Sequence, residues 1–256
     1  MNKYTHAVTL LIGVSFLLSS VAGCGGQPGR LSPKAAVAEA YAATTAIRSM
    51  HYTITGAISA SGEVQEIDGE GDILLPDRER VKMGMAGETV EIVCIGDKQY
   101  FKSSEAVEWQ VYEPGSESQS LPAEPMDALG YLQSVAAVTQ LSDETVAGVM
   151  CGHYQGVIDV AQYLATMEAA VTERADAEMQ QGWQMVRERL EDASVTVEVW
   201  IGKEDHLVYQ EKLDMKTYFT PPTPAHGPPA ERITITSTQT IRFSKFNQPL
   251  EIEPPF

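Results

Sequence analysis

The chain has 256 residues and a formal net charge of −17, from 18 lysines and arginines against 35 aspartates and glutamates. A surface this acidic repels nucleic-acid phosphates and gives no general attraction to anionic lipid headgroups, so we expect no nucleic-acid partner. The composition, 43% hydrophobic and 21% charged, is that of a folded protein. A chain of this length can bury a large core without a metal or a disulfide. We expect no metal site and no cofactor.

The N-terminal residues have the features of a secretory signal. An uncharged apolar stretch over 7–18 follows a short basic start, and small residues precede Cys24. The stretch is shorter than the ~20 residues that a membrane-spanning helix needs. Residues 21–24, Val-Ala-Gly-Cys, resemble the bacterial lipobox, whose cysteine sulfur receives a diacylglyceryl group. The resemblance predicts a signal peptide over 1–23, lipidation of Cys24 and a flexible tether over 24–32. The alternative is an ordinary cleaved signal in which the cysteine has no role.

Lipidation would determine where the chain resides. One acyl chain holds a protein at a bilayer only marginally, whereas two or more hold it stably. We therefore expect an extracytoplasmic monomer that is anchored to a bacterial membrane through lipid on Cys24. The residues do not decide between the inner and the outer membrane.

The first half of the chain predicts one helix followed by a meander of strands. Ser32 and Pro33 before an alanine-rich run predict a helix over 33–49, with Ser32 as its N-cap. The hydrophobic period then changes to two, and tight turns separate the strands, which favours antiparallel pairing over βαβ units. The predicted strands are 51–60, 63–74, 79–86, 88–95, 98–102 and 108–113.

The second half mixes helices and strands. Residues 125–138 are predicted to be helical, and a strand pair follows at 143–149 and 151–160. The longest helical pattern covers 161–192; its apolar stripe would contact the core or act as a movable lid over an apolar cavity. Polar loops are predicted at 114–124 and 220–230, and further strands at 194–202, 206–219 and 231–245. The simplest fold class is α+β, with a single antiparallel sheet covered by helices.

Motifs for catalysis are absent from the sequence. It contains no GxSxG, SxxK, HExxH or phosphate-binding loop. His51, His153, His206 and His226 do not stand at metal-ligand spacing from one another, and the position of His153 two residues after Cys151 is only a weak sign of a reactive pair. We therefore do not expect an enzyme.

Two cysteines remain if Cys24 carries lipid. Cys94 and Cys151 could form a disulfide, because exported compartments are often oxidising, although two distant thiols need a close approach of their Cα atoms. The alternative is that both are buried thiols that pack as small hydrophobic groups.

A series of segments in chain order resembles the LolA/LolB/LppX superfamily of lipoprotein and lipid carriers. Each segment is a loose match, and their order carries the resemblance, which covers most of 33–256. The segments are Ser-Met-His-Tyr-Thr-Ile-Thr-Gly at 49–56, Gly-Glu-Gly-Asp-Ile at 69–73, Pro-Asp-Arg at 76–78, Ile-Gly-Asp-Lys-Gln-Tyr at 95–100, Val-Glu-Val-Trp-Ile-Gly at 197–202 and Phe-Asn-Gln-Pro-Leu-Glu-Ile-Glu-Pro-Pro at 246–255.

The resemblance implies both a fold and a function. The fold would be a strongly curved antiparallel sheet, an incomplete barrel, closed by helices over an apolar cavity that takes acyl chains. The chain would then bind or carry lipid or acylated molecules without any catalytic residue. The long helix near 161–192 departs from the family as an insertion, which would enlarge the lid or fill the cavity. The alternative is a cell-envelope interaction or sensor lipoprotein with a filled core, which contacts envelope proteins through its loops.

Strand and helix periodicity predicts the residues that would line the cavity, although each such residue is more often plain core than a ligand contact. They are Ile54, Ile58, Ile73, Met83, Ile92, Trp109, Leu132 and Val199, with Met167, Val171, Met179 and Trp183 from the long helix.

Overall fold

The computed structural model describes residues 31–85, 87–112, 129–172, 183–184, 187–188, 190–219 and 231–256. Leu31–Phe256 form one compact unit. The predicted signal peptide, Cys24 and most of the predicted tether lie outside the described residues. Within the described ranges, no helix is long and apolar enough to cross a membrane.

The fold is α+β: a single antiparallel sheet, curved into an incomplete barrel, with helices over one face. Its strands are β1 (Ser49–Ala60), β2 (Glu63–Leu74), β3 (Arg78–Met85), β4 (Glu88–Ile95), β5 (Lys98–Ser103), β6 (Gln110–Tyr112), β7 (Val135–Gln140), β8 (Glu144–Val146), β9 (Val149–Ile158), β10 (Ser194–Gly202), β11 (Val208–Phe219) and β12 (Ile233–Ser244). The helices are α1 (Pro33–Thr45), a short 3₁₀ helix (Gly130–Ser134) and α2 (Val160–Thr172). Residues 183–184, 187–188 and 190 are also helical.

The strand order leaves the barrel open. It runs β6-β5-β4-β3-β2-β1-β12-β11-β10-β9-β7, with β8 paired to β9. The first and last strands of the chain's sheet region, β1 and β12, pair antiparallel at the centre. Among the described residues β6 and β7 have one partner each, so they form the two edges of the sheet. The antiparallel meander predicted from the sequence is therefore confirmed.

Alternation along the strands gives the sheet one apolar and one polar face. Met50, Tyr52 and Ile54 of β1 share the face on which α1 and the 3₁₀ helix pack, and we call this the helix-covered face. The opposite side, the outer face, carries His51 and its cross-strand partner Asp72. The main buried cluster lies entirely on the helix-covered side, so the core sits between the sheet and the helices.

Helix α1 begins as the sequence predicts. Ser32 is its N-cap and accepts a hydrogen bond from the backbone N–H of Ala35 at 3.2 Å. The helix ends at Thr45 rather than 49, because the chain joins β1 at Ser49. The fully buried Thr44 accepts a hydrogen bond from the backbone N–H of Val208 at 3.0 Å, which joins α1 to β11.

The helix predicted over 125–138 is wrong for the part that the structure describes. The 3₁₀ helix ends at Ser134, and residues 135–140 form β7, whose backbone pairs with β9. Valines at 135 and 138 favour extended backbone, and tertiary pairing overrides the helical spacing of the apolar residues. The bounds of the next strand pair also differ from the prediction. A turn at Ala147 and Gly148 joins β8 to β9, which begins at Val149.

Strand β7 contains a β-bulge. Ala136 pairs with Val157, but the next pair along β7 is Thr139 with Gln155, so β7 has one extra residue. Ala137, within the bulge, has a φ of 50°. A Cβ atom on Gly156 would overlap with Cγ1 of Val135. Glycine at position 156 thus lets Val135 lie across β9.

The last ten residues cross the outer face without forming a strand. Ile252 is fully buried against Val93 and Tyr100, and its carbonyl accepts a hydrogen bond from Nη1 of Arg78 at 2.9 Å. Ser49 donates a hydrogen bond to the carbonyl of Gln248 at 2.7 Å. This C-terminal segment gives the outer face a second, smaller apolar cluster.

We expect Gly156→Ala to destabilise the fold, because the added Cβ forces Val135 and the bulged strand to move. The free energy of unfolding should fall by about 1–3 kcal/mol. Gln155→Ala, on the exposed side of the same strand, is the control and should change stability by less than about 0.5 kcal/mol. Urea unfolding midpoints measure both effects, and equal midpoints for the two variants would refute the packing argument.

Candidate functional site

Four of the predicted cavity residues belong to a closed core. Ile54, Ile73, Leu132 and Val199 are between 1% and 8% exposed and belong to one cluster on the helix-covered face. Helix α1 and the 3₁₀ helix pack against the same cluster. At this end the protein's own side chains fill the space between sheet and helices.

Three more predicted cavity residues lie on the same face at the margin of the closed core, which Met83 contacts. Ile58, Met83 and Ile92 are half-buried. Gly69 of β2 pairs with Ile54 of β1 and with Met83 of β3, so these three residues form one row across the sheet on this face. With their apolar neighbours they form what we call the apolar floor: Ile58, Ile67, Val81, Met83, Val90, Ile92, Leu213 and Met215.

The five other predicted cavity residues are Trp109, Met167, Val171, Met179 and Trp183. Trp109 does not lie on the helix-covered face; it packs against the C-terminal segment and Val93 in the outer cluster, so its assignment to the cavity is wrong. Met167 of α2 and Trp183 are half-buried. The side chain of Val171 and all of Met179 lie outside the described residues, so their predicted contact with lipid stays a prediction.

An apolar pocket of about 330 Å³ lies between α1 and the edge of the sheet. Its lining includes Val37, Tyr41, Leu132 and Val138, with Lys34 as its one charged group. Leu132 is thus the predicted cavity residue that reaches this pocket as well as the core. The pocket is on the helix-covered face, because Leu132 belongs to the core cluster there.

A fully buried glutamate interrupts this apolar face. Glu211 is 0% exposed, and Tyr131 of the 3₁₀ helix donates a hydrogen bond to its Oε2 atom. Its Oε1 atom has no hydrogen-bond partner among the described residues. Burial raises the pKa of Glu211 to about 8, although the bond from Tyr131 opposes the shift. The carboxyl group is therefore mostly neutral at pH 7.

A second tyrosine–glutamate pair occurs on β1 and β3. The hydroxyl of Tyr52 donates a hydrogen bond to Oε1 of Glu79 at 2.7 Å across β2. The ring of Tyr52 lies over Gly71, where a Cβ atom would overlap with it. Burial raises the pKa values of both Tyr52 and Glu79. Neither glutamate is marked by a motif in the sequence, although Glu211 has the same strand parity as Leu213 and Met215.

The outer face carries a polar groove of about 680 Å³ beside the C-terminal segment. On its floor, Asp72 bonds to Nδ1 of His51 at 2.9 Å and to Nη2 of Arg80 at 2.8 Å. Burial opposes ionisation of Asp72, but these two bonds keep its pKa below the ordinary value. Glu251 and Glu253 of the C-terminal segment also line the groove.

His153 and the two cysteines of the described chain are buried. His153 stacks on Trp200, with 4.1 Å between ring centroids, and its Nε2 atom lies 2.8 Å from Glu198. Cys94 and Cys151 are free, buried thiols on β4 and β9, so of the two alternatives the structure has buried thiols and not a disulfide. Six strands lie between β4 and β9 in the sheet, so the two thiols are far apart. Burial raises the pKa of both thiols, that of Cys94 to about 11.

The described ranges contain no cluster of three or more histidine, cysteine, aspartate or glutamate side chains that could hold a metal ion. The two features of the helix-covered face that could receive a ligand are the apolar floor and the 330 Å³ pocket. Both would bind a ligand through apolar contact.

No family model matches the sequence, and no curated protein matches it. The structure is similar to the Mycobacterium tuberculosis lipoprotein LppX, at 12% identity and a TM-score of 0.49, over 86% of this chain and 98% of that one. LprF from Mycobacterium bovis matches at 11% identity and a TM-score of 0.48, over 87% and 96%. A LolA superfamily protein from Nitrosomonas europaea matches at 7% identity and a TM-score of 0.31, over 88% and 96%. LppX and LolA are also the names of the superfamily that the sequence segments resemble.

We expect Glu211→Gln to change how stability depends on pH. Because its folded pKa is raised, Glu211 destabilises the fold progressively as pH rises from the ordinary value of 4.5 to about 8. The loss is at most about 1.4 kcal/mol per pH unit, and glutamine, which stays neutral, removes it. Urea unfolding of both proteins between pH 4 and pH 9 measures the difference. Parallel stability curves would contradict the burial of an ionisable group at this position.

Proposed function

We propose that this chain is a membrane-anchored, extracytoplasmic lipoprotein that binds or carries lipid or acylated molecules on the helix-covered face of its sheet. The apolar floor carries the proposal. Its side chains continue the apolar alternation of the sheet from the margin of the closed core outward, yet they stay half-buried. An apolar surface of this kind, interrupted by Ser237 and Gln239 of β12, marks a place where another apolar group binds.

The chemistry of the two faces supports an apolar cargo. The outer face carries ion pairs such as those of Asp72 with His51 and Arg80, and the chain as a whole is acidic. On the helix-covered face, Glu79 and Glu211 each accept a hydrogen bond from a tyrosine. Gln65 and Ser237, the cross-strand partners of Ile58, are uncharged. Binding of acyl chains needs apolar area and a way in, and no bond has to be made or broken.

The open barrel supports access to the floor. In the described part of the sheet, β6 and β7 do not pair with each other, so the barrel has a gap that backbone hydrogen bonds do not close. Acyl chains could enter there without breaking a strand pair. This access is a proposal, as is the identity of the cargo.

The anchor rests on the N-terminal sequence. A lipid on Cys24 would hold the domain at the membrane through residues 25–32, before α1 begins at Pro33. Eight extended residues reach at most about 29 Å. The helix-covered face would then work within a short distance of a lipid bilayer, where a carrier of lipid needs to be.

A second candidate function is supported by the closed core. Ile54, Ile73, Leu132 and Val199 fill the α1 end of the sheet. If the apolar floor is covered in the same way, the protein would be an envelope interaction or sensor lipoprotein without cargo. Its predicted contact loops, 114–124 and 220–230, lie wholly outside the described residues.

Native mass spectrometry of the mature chain tests the proposed function. We would purify residues 24–256 with Cys24→Ser, so that no attached lipid is present, and analyse a solvent extract beside the native protein. A carrier should show bound lipid of defined stoichiometry, or should acquire it when lipid is offered. A mass without lipid under both conditions would favour the second candidate.

Ile58→Glu should reduce lipid binding, because a carboxylate on the apolar floor must lose its hydration when acyl chains cover it. We expect at least about a tenfold loss of affinity for a buried charge of this kind. The matched control is Ser59→Glu, which places the same charge at the next residue of β1, on the outer face. Equal binding by the two variants would exclude the apolar floor as the site.

Detergent phase partition tests the anchor. The unaltered chain, expressed in a bacterium that lipidates proteins, should enter the detergent phase of Triton X-114, because acyl chains on Cys24 are strongly apolar. The variant Cys24→Ser should remain in the aqueous phase. If both proteins partition alike, Cys24 does not carry the anchor.

A further inference from the structure

The 330 Å³ pocket at the edge of the sheet has a more specific construction than the apolar floor. On one side it is lined by Lys34, Val37, Ala38 and Tyr41 of α1. These residues are spaced i, i+3, i+4 and i+7, so they form a single stripe along the helix. A cation thus stands at one end of a stripe of apolar and aromatic contacts.

The other side of the pocket depends on the bulge in β7. Val135 and Val138 both line the pocket. On a regular strand, residues three apart point to opposite faces, so the extra residue of the bulge is what brings both valines to one side. Ala137 adopts a φ of 50° within it, a conformation that costs a residue with a side chain about 1 kcal/mol or more. The strand therefore bears strain at the point where it shapes this pocket.

The charge of Lys34 has no compensation in the described structure. Lys34 lies in the first turn of α1, where the helix dipole disfavours a cation, and that turn contains no acidic residue. No ion pair joins Lys34 to another described residue. Glu39, the acid of the same helix, instead lies 3.8 Å from Nδ1 of His206. An anion beside Lys34 would be attracted by both the ammonium group and the helix N-terminus.

We propose that this pocket binds the acyl chain of a single-chain lipid with an anionic head, and that the head pairs with Lys34. The pocket is at the lower end of the range of about 300–1,000 Å³ that ligand sites span, which suits one chain rather than several. The head chemistry is a carboxylate or a phosphate, as in a fatty acid or a lysophospholipid. This inference rests on the proposed function and names a ligand class for one part of the helix-covered face.

Calorimetric titration of the mature chain (residues 24–256, Cys24→Ser) tests the role of Lys34. The probes are dodecanoate, dodecyl phosphate and the uncharged monododecanoylglycerol, each below its micelle concentration. Lys34→Gln should weaken binding of the anionic probes about fivefold, the effect of an ion pair near the surface, and leave the uncharged probe unchanged. The control Lys82→Gln removes the same charge from the outer face and should change none of the three.

The two anionic probes separate the sources of the head group. A fivefold effect on dodecanoate alone would support a fatty acid, and an effect on dodecyl phosphate alone would support a lysophospholipid. If Lys34→Gln weakens no probe, or weakens all three equally, the proposed pairing is wrong.

Filling the pocket tests the place of the acyl chain. Ala38 is exposed at the pocket's lining, so Ala38→Trp should occupy the space without disturbing the core and should abolish binding of all three probes. The control Ala42→Trp adds the same bulk to an exposed position of α1 that does not line the pocket, and should bind normally.

These variants also separate the inference from the proposed function. If the mature chain binds no probe and carries no lipid, the proposed function fails, and the inference fails with it. If it binds the probes, but Ala38→Trp has no effect while Ile58→Glu abolishes binding, the inference alone is wrong.

Discussion

The register of β1 between β2 and β12 is the constraint on which the rest of the structure depends. β1 pairs with β2 along all of its length and with β12 from His51 onward. Because side chains alternate at a period of two, a shift of one residue would move Met50, Tyr52 and Ile54 to the outer face and expose them to water. The helices could then bury nothing against the sheet. The face on which the apolar residues of β1, β2 and β12 lie follows from this one register.

The two tyrosine–glutamate pairs show how the apolar face tolerates polar groups. Each glutamate faces the helices and accepts a bond from a tyrosine hydroxyl, which lowers the cost of removing the carboxyl group from water. Tyr131 also joins the 3₁₀ helix to β11 through Glu211, and Thr44 joins α1 to Val208 of the same strand. Strand β11 is therefore the point at which the helices are fastened to the sheet by directional bonds rather than by apolar contact alone.

Much of the fold was predictable from the sequence, because it is local. The alternation of β1 and β2 and the N-cap at Ser32 depend on residues that are neighbours along the chain. The segment 135–140 was not predictable in this way, since its apolar spacing fits a helix and only pairing with β9 makes it a strand. The bulge at Ala137 and the partners of Glu211 depend on contacts between distant residues, which a periodic pattern does not contain.

The predicted site shows the same division. Periodicity correctly assigned Ile54, Ile58 and Met83 to one face of the sheet, since face is a property of strand parity. It could not separate the closed core from the half-buried floor, because Ile54 and Ile58 differ only in what covers them. Trp109 was misassigned because it lies after the end of β5, where no strand parity applies and where the C-terminal segment provides its contacts. The position of Lys34 at a pocket was not predictable, because it depends on the packing of α1 beside β7.

The separation between a closed end and a half-buried end of one face has a mechanical consequence. The bonds that fasten the helices to β11 lie beside Ile54, Val199 and Leu132 in the filled core. The apolar floor lies farther along the same strands, at Ile58 of β1 and at Leu213 and Met215 of β11. Leu213 and Met215 also contact the main buried cluster, so the floor is the margin of the core rather than a separate surface. A ligand on the floor nevertheless does not have to displace the hydrogen bonds through which Tyr131 and Thr44 join the helices to β11.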